Sequence, residues 1–109
     1  MSTPNVRQIK ATNHGPYDPI LQIVSGGNPP YSLGPVNAGD AEAPYDLSEV
    51  KTLKEGEKFT VQVYTESDAT AKDVTVLTYT KSSNHAADFQ IAGTRIEPTL
   101  IYDGILSAD

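Results

Sequence analysis

The clearest pattern in the sequence is the alternation of apolar and polar residues over residues 58–65. Every second residue from Phe59 to Val63 is apolar, which is what a strand with one buried face requires. A second run, residues 73–80, is dense in β-branched and aromatic residues and predicts another strand, covered on both faces. Because the stretch 66–72 between them is polar, the two runs together predict a β-hairpin.

Shorter runs of the same kind predict four further strands. Pro4, directly before the first of them, favours a strand at the edge of a sheet, because proline cannot donate to a strand ladder. Turn residues such as Pro19 and Gly93 bound the others. The expected strands are residues 6–12, residues 20–24, a short segment through Phe89 and Ile91, and residues 98–103.

Only two segments carry helical signals, and both are short. Asp46 and Glu49 have the spacing of a capping box, and apolar residues follow at helical intervals as far as Leu53. The same stretch fits a strand nearly as well, so residues 46–53 remain open between helix and strand. Residues 84–88 are expected to form a single turn.

Several short strands joined by turns predict an all-β fold, an immunoglobulin-like antiparallel β-sandwich. The 109 residues have the length of a single domain, residues 1–109, and can bury one core without covalent cross-links. The chain has no cysteine, which excludes a disulfide framework and a thiolate metal site.

The charge of the chain narrows its range of partners. The formal net charge is −6 and the isoelectric point is near 4.7, so the acidic surface repels phosphate backbones and argues against nucleic acid. No apolar run approaches the length of a membrane span, and Met1–Arg7 lacks the apolar core of a signal peptide. We therefore expect no membrane span, and a protein that is cytoplasmic or secreted by a non-classical route.

Residues 52–64 resemble a corner between two strands of fibronectin type III and other immunoglobulin-like sandwiches. In such corners an apolar residue closes one strand, a glycine-containing turn follows, and an aromatic residue opens the next. Leu53, Gly56 and Phe59 stand at these positions. Phe59 lacks the hydroxyl of the tyrosine in a tyrosine corner, so the resemblance implies the packing without the hydrogen bond. The chain also continues further beyond Thr80 than a fibronectin type III domain does.

A second resemblance covers the later half of the chain. The order of residues 58–59, then 74–79, then 87–91 is similar to that of small fungal immunomodulatory proteins, which are acidic, cysteine-free, lectin-like sandwiches. The chain departs from that family because it has no tryptophan, contains His14 and His85, and begins without an amphipathic helix. The resemblance implies a homodimer that binds cell-surface glycans.

The candidate ligand site is the long aperiodic segment from Ser25 to Tyr45, which is rich in glycine, proline and asparagine. Long loops on a rigid scaffold often carry function. Tyrosine rings beside amides and a carboxylate suit a sugar, whose apolar face stacks on a ring while its hydroxyls form hydrogen bonds. The alternative is a structural connection with an edge strand over residues 31–36, whose tyrosines cover the core. The predicted ligand-binding residues are Asn28, Tyr31, Asn37, Asp40 and Tyr45.

Other chemistry has weaker support in the sequence. Neither His14 nor His85 lies beside a nucleophile motif, and two loop histidines are the simpler interpretation. Asp40, Glu42 and Asp46 offer oxygens at short spacing, as calcium prefers, but the pattern of an EF-hand is missing. We therefore predict no catalytic residue, no metal site and no cofactor.

These observations predict a non-enzymatic binding or adhesion module, with lectin-like recognition of carbohydrate through residues 25–45. The alternative is a structural or assembly subunit of a larger particle, whose edge strands and termini would be the contact surfaces. The expected partners are glycans or a protein surface, including a second copy in a homodimer.

Overall fold

Ten short strands and one 3-10 turn form two sheets in the computed structural model, which describes residues 4–39, 45–51 and 53–107. In chain order these elements are β1 Asn5–Val6, β2 Gln8–Asn13, β3 Ile20–Val24, β4 Tyr31–Pro35, β5 Tyr45–Asp46, the 3-10 turn Leu47–Glu49, β6 Lys58–Tyr64, β7 Thr70–Lys72, β8 Leu77–Tyr79, β9 His85–Gly93 and β10 Pro98–Ser107.

The two sheets pack as the predicted all-β sandwich of one domain. The first has the strand order β1-β8-β6-β3-β4, with β7 also paired to β6, and the second has the order β10-β9-β2-β5. Most strand pairs are antiparallel as predicted, but both sheets are mixed, because β1 pairs with β8 and β2 with β9 in parallel. The cause is that residues 5–13 change sheet at Arg7 while running in the same direction as residues 77–93.

One core lies between the sheets, and the period-2 pattern of the sequence explains which residues enter it. Inward-facing positions of β2, β3, β6 and β9 are buried, and Phe59 at the start of β6 is 2% exposed. The rings of Phe89 and Tyr102 extend this packing toward β10, with centroids 5.5 Å apart and a tilt of 58°. The main buried side chains on these four strands are Ile9, Ala11, Leu21, Ile23, Phe59, Val61, Val63, Phe89 and Ile91.

The predicted hairpin is correct in its first strand and wrong in part of its second. β6 occupies residues 58–64, but residues 73–76 separate β7 from β8 and form no strand. Val74 is 91% exposed, so the run is not covered on both faces. The break occurs at Asp73, whose Oδ1 accepts a hydrogen bond from the backbone N–H of Thr75 at 2.8 Å, a local turn that competes with the ladder.

The two helical signals have different outcomes. Asp46 does cap a turn, since its Oδ1 accepts from the N–H of Ser48 at 2.9 Å, but this 3-10 turn ends at Glu49 because Val50 is extended. The sequence leaves residues 46–53 open between helix and strand. The structure shows one short 3-10 turn there, Leu47–Glu49, and residue 52 lies outside the described residues. The single turn expected at residues 84–88 was wrong, because β9 begins at His85 and runs between two neighbouring strands.

The remaining strand predictions are confirmed. The strand expected at residues 6–12 is present as β1 and β2, interrupted at Arg7, and residues 20–24 are β3. The edge strand expected over residues 31–36 is β4, and the strand expected at residues 98–103 is the first part of β10. No helix among the described residues is long and apolar enough to cross a bilayer.

Candidate functional site

Two turns at one end of the first sheet form an open cleft of about 540 Å³. The first turn follows β3: Gly26 has a φ of +54°, and the N–H of Asn28 donates to the carbonyl oxygen of Ser25 at 3.1 Å. The second precedes β6: Gly56 has a φ of +81°, a conformation that glycine adopts without strain. The residues that line the cleft are Asn28, Lys54, Glu55, Gly56 and Glu57.

The carboxylates of the second turn, those of Glu55 and Glu57, are held in place by hydrogen bonds to backbone N–H groups. Oε1 of Glu57 accepts from the N–H of Lys54 at 2.9 Å, and Oε1 of Glu55 accepts from the N–H of Lys81 at 2.8 Å. The turn is also bonded to β8, since the N–H of Gly56 donates to the carbonyl of Tyr79 at 2.8 Å. Each carboxylate therefore has a fixed position and retains a second oxygen that can accept from a ligand.

An apolar groove of about 240 Å³ adjoins the cleft. It is lined by Val24, Gly26, Lys58, Phe59, Thr60 and Val76. The groove and the cleft meet at Gly26, because a Cβ placed on that residue would lie 3.8 Å from Oε2 of Glu57. Val76 is 39% exposed and provides an aliphatic surface there. The site as a whole combines an amide, two carboxylates and an ammonium group with a neighbouring apolar strip.

The structure does not bring the predicted ligand-binding residues together. Of the four predicted residues that the structure describes, only Asn28 lines the cleft, and Asn37 is exposed elsewhere. The half-buried ring of Tyr31 packs on the core and its hydroxyl donates to the carbonyl of Glu49 at 3.2 Å. Tyr45 is placed in the same way, with its hydroxyl 2.7 Å from the carbonyl oxygen of Pro35. Asp40 lies outside the described residues.

A smaller cavity of about 170 Å³ lies near the other end of β6, and most of its polar groups have structural hydrogen bonds. The hydroxyl of Tyr17 donates to the carbonyl of Ala92 at 2.6 Å, and burial raises the pKa of this phenol. Oγ1 of Thr65 donates to the carbonyl of Arg95 at 2.6 Å. Oδ1 of Asp18 accepts from a backbone N–H at 2.7 Å. We therefore assign this cavity a role in joining the loops.

The sequence predicted that both histidines lie in loops, and this is correct for only one of them. His14 follows β2 in a loop, where its Nε2 lies 2.6 Å from Oε1 of Gln90. His85 is not in a loop but begins β9. Asp88 lies three residues further along the same strand, so the two side chains point to opposite faces. Among residues 4–39, 45–51 and 53–107, no three metal-ligating side chains converge.

Lys54, Glu55 and Glu57 line the cleft but were not among the residues predicted from the sequence. The pattern of Leu53, Gly56 and Phe59 predicted a turn between two strands, and it gave no indication that the charged residues of this turn form a site. The signal that could have found them is the density of charge, since three of the four residues from Lys54 to Glu57 are ionisable and directly precede a buried strand. Their proximity to Asn28 depends on the pairing of β3 with β6, which brings the two turns to one sheet end.

The comparisons with known proteins return no relative: no family model matches the chain, and no curated protein or solved structure is significantly similar to it. They give no support to a place among the fibronectin type III domains or the fungal immunomodulatory proteins.

Proposed function

We propose that this protein is a non-enzymatic binding domain and that its ligand is a carbohydrate held in the cleft between residues 25–28 and 54–57. The observation that carries the proposal is the convergence of Asn28, Glu55 and Glu57 on one cleft, each on a turn fixed by hydrogen bonds. Carboxylate oxygens accept from sugar hydroxyls, and an amide both donates and accepts. The aliphatic strip at Val76 suits the apolar face of a sugar ring.

The proposed ligand site is therefore not the one predicted from the sequence: it lies at the turn of residues 54–57 and excludes Tyr31 and Tyr45. Asn28 keeps its predicted role, whereas the hydrogen-bonded hydroxyls of Tyr31 and Tyr45 favour the alternative in which these residues cover the core. The similarity to fungal immunomodulatory proteins favours the same ligand class. That similarity and the homodimer it implies remain part of the proposal, as does the immunoglobulin-like resemblance in packing.

A glycan array with matched variants tests this proposal. We expect saturable binding to a subset of glycans, weakened about two- to tenfold by Asn28→Ala or Glu57→Gln, the value of one net hydrogen bond. Two controls remove the same groups elsewhere: Asn37→Ala, and Glu66→Gln beyond the other end of β6. Absence of glycan binding, or equal losses in the site and control variants, would contradict the proposal.

One observation favours assembly as a second candidate function. β10 is ten residues long and lies at the edge of its sheet, with Ile101 60% exposed and Ile105 and Leu106 more than a third exposed. A long edge strand with apolar side chains can pair with a strand of another chain. Light scattering after size exclusion should then show an oligomer that Ile101→Lys dissociates. A monomer at all concentrations would argue against self-assembly through β10.

A further inference from the structure

The side chains of β3 and β6 that point away from the core form a row along the outer face of the first sheet. On β6, Thr60, Gln62 and Tyr64 alternate with buried core residues and therefore lie on this outer face. On β3, Gln22 and Val24 alternate with core residues in the same way. The strands are neighbours, with Gln22 opposite Gln62 and Val24 opposite Thr60. We call these five residues the outer row.

The two amides in the middle of the outer row are held by hydrogen bonds across three strands. Nε2 of Gln62 donates to Oε1 of Gln22 at 2.7 Å, and Nε2 of Gln22 donates to Oγ of Ser32 in β4 at 3.2 Å. An amide nitrogen has two protons and an amide oxygen has two lone pairs. Gln22, which is partly exposed, therefore keeps one donor position and one acceptor position, and both have a fixed orientation.

The ring of Tyr64 ends the outer row. Tyr64 is partly exposed, and its hydroxyl donates to Oδ1 of Asp68 in the turn after β6. This hydrogen bond restrains the ring without covering it completely. An aromatic ring offers an apolar face and a polar edge, and the apolar face of a sugar ring can stack on it. The end of the row is therefore suited to hold one sugar unit.

The outer row continues the surface of the proposed carbohydrate site. Val24 and Thr60 also line the apolar groove that meets the cleft at Gly26. From Lys58 beside the groove to Tyr64, β6 rises by about 20 Å, at about 3.3 Å for each residue. This length is several times that of one sugar ring. The cleft, the groove and the outer row thus form one continuous surface along β3 and β6.

The chemistry of the outer row fits a neutral ligand. Its residues are two glutamines, a threonine, a valine and a tyrosine, so it brings no carboxylate or ammonium group to the surface. Sugar hydroxyls both donate and accept, and so do amides and hydroxyls of the protein. Side chains whose positions are fixed before binding lose little entropy when they contact a ligand.

We propose that the ligand of this protein is a neutral, unbranched oligosaccharide, with one unit in the cleft and the following units along the outer row as far as Tyr64. The inference rests on the carbohydrate cleft proposed above and adds the length, the charge and the direction of the ligand. Because β3 and β6 are extended over this distance, a sugar chain in an extended conformation matches their course.

The test is a titration of ¹⁵N-labelled protein with β-1,4-linked oligomers of glucose, mannose and N-acetylglucosamine, each from one to six units. For at least one series, we expect an affinity that rises with length over the first units and then levels off. Single units should shift the backbone amides of Asn28 and Glu57. Longer oligomers should also shift those of Gln62 and Tyr64.

Variants separate the outer row from the cleft. Tyr64→Ala and Gln22→Ala should each weaken the binding of the longest oligomers about two- to tenfold, the value of one stacked ring or one hydrogen bond. Both should leave the affinity for single units unchanged, which also shows that the cleft is folded. Tyr64→Phe keeps the ring and should bind every length as the parent does. Thr12→Ala, on the outer face of the second sheet, is the control and should change neither affinity.

The result that would overturn this inference differs from the one that would overturn the cleft. Equal affinity for one unit and six units, with shifts confined to the cleft, would refute the oligosaccharide and leave the cleft intact. Shifts at Tyr64 without shifts at Asn28 and Glu57 would also refute it, because the ligand would not span the two. Absence of binding in every series would refute it as well, and the glycan array would then show whether the cleft binds another carbohydrate.

Discussion

Asp73 connects the two sheets, and its removal should have a cost that can be derived from its contacts. It follows β7 in the first sheet, and its Oδ2 accepts from the N–H of Tyr102 in β10, an edge strand of the second sheet, at 3.0 Å. Its Oδ1 accepts from the N–H of Thr75 at 2.8 Å. One carboxylate thus supplies acceptors to two backbone groups that no strand ladder uses.

The expected loss of stability follows from these two hydrogen bonds. A hydrogen bond to a charged group contributes about 1.5–3 kcal/mol. Asp73 is half-exposed, so water screens the carboxylate, and we expect about 1 kcal/mol for each bond. Asp73→Ala should therefore cost about 2 kcal/mol in the free energy of unfolding. Asp73→Asn keeps one acceptor oxygen and should cost about 1 kcal/mol.

The stabilisation by Asp73 should also depend on pH. Burial raises the pKa of this carboxyl, but the hydrogen bonds from Thr75 and Tyr102 outweigh it and hold the pKa below its usual value. A carboxyl whose pKa is lower in the folded state stabilises the fold above its unfolded pKa, about 3.9, and loses that contribution as the pH falls through the folded pKa. The difference between the parent and Asp73→Asn should be constant from about pH 5 to pH 7 and shrink below about pH 4.

Urea denaturation at pH 7 and at pH 3 measures these differences. The control is Asp103→Ala, because Asp103 is exposed on the same edge strand and its contact with Gln90 is a long 3.4 Å. Its cost should stay within about 0.5 kcal/mol. Equal costs for Asp73→Ala and Asp103→Ala would refute the reasoning, as would a difference between the parent and Asp73→Asn that grows as the pH falls.

Three further predictions concern the core, a turn and the tyrosines. Phe59→Ala should cost about 3–5 kcal/mol in urea denaturation, because it leaves a cavity in a central strand, and a loss below about 1 kcal/mol would contradict the burial of this ring. Gly93→Ala should cost at least about 2 kcal/mol in the same assay, because φ is +83° and a Cβ would overlap the carbonyl oxygen of Glu97. Tyr31→Ala and Tyr45→Ala should each lower the melting temperature and leave ligand affinity unchanged. Weaker ligand binding with an unchanged melting temperature would show instead that these residues belong to the ligand site.

The alternation of apolar residues predicted the strands that have one face in the core. β6 is the clearest case, because Phe59, Val61 and Val63 are all buried as the pattern required. β9 was missed at its start, where the sequence Asn-His-Ala-Ala-Asp favours a turn. Pairing with β2 on one side and β10 on the other makes this segment a strand, and such tertiary context overrides local propensity.

The candidate site was less predictable from the sequence than the fold, for a physical reason. Asn28 and Glu57 are far apart in sequence, and they meet only because β3 pairs with β6 in a register that puts Val24 opposite Thr60. Periodicity predicts which face of a strand is buried, but it carries no information about which strand ends lie together.

The central claim is that the cleft between residues 25–28 and 54–57 binds carbohydrate. The most direct measurement is a titration of ¹⁵N-labelled protein with a panel of methyl glycosides, in which the shift of every backbone amide is followed. We predict saturable shifts for at least one glycoside, largest at Asn28, Gly56 and Glu57. Saturable shifts that centre on Tyr31 and Tyr45 or on β10, or no saturable shift with any glycoside, would contradict the claim.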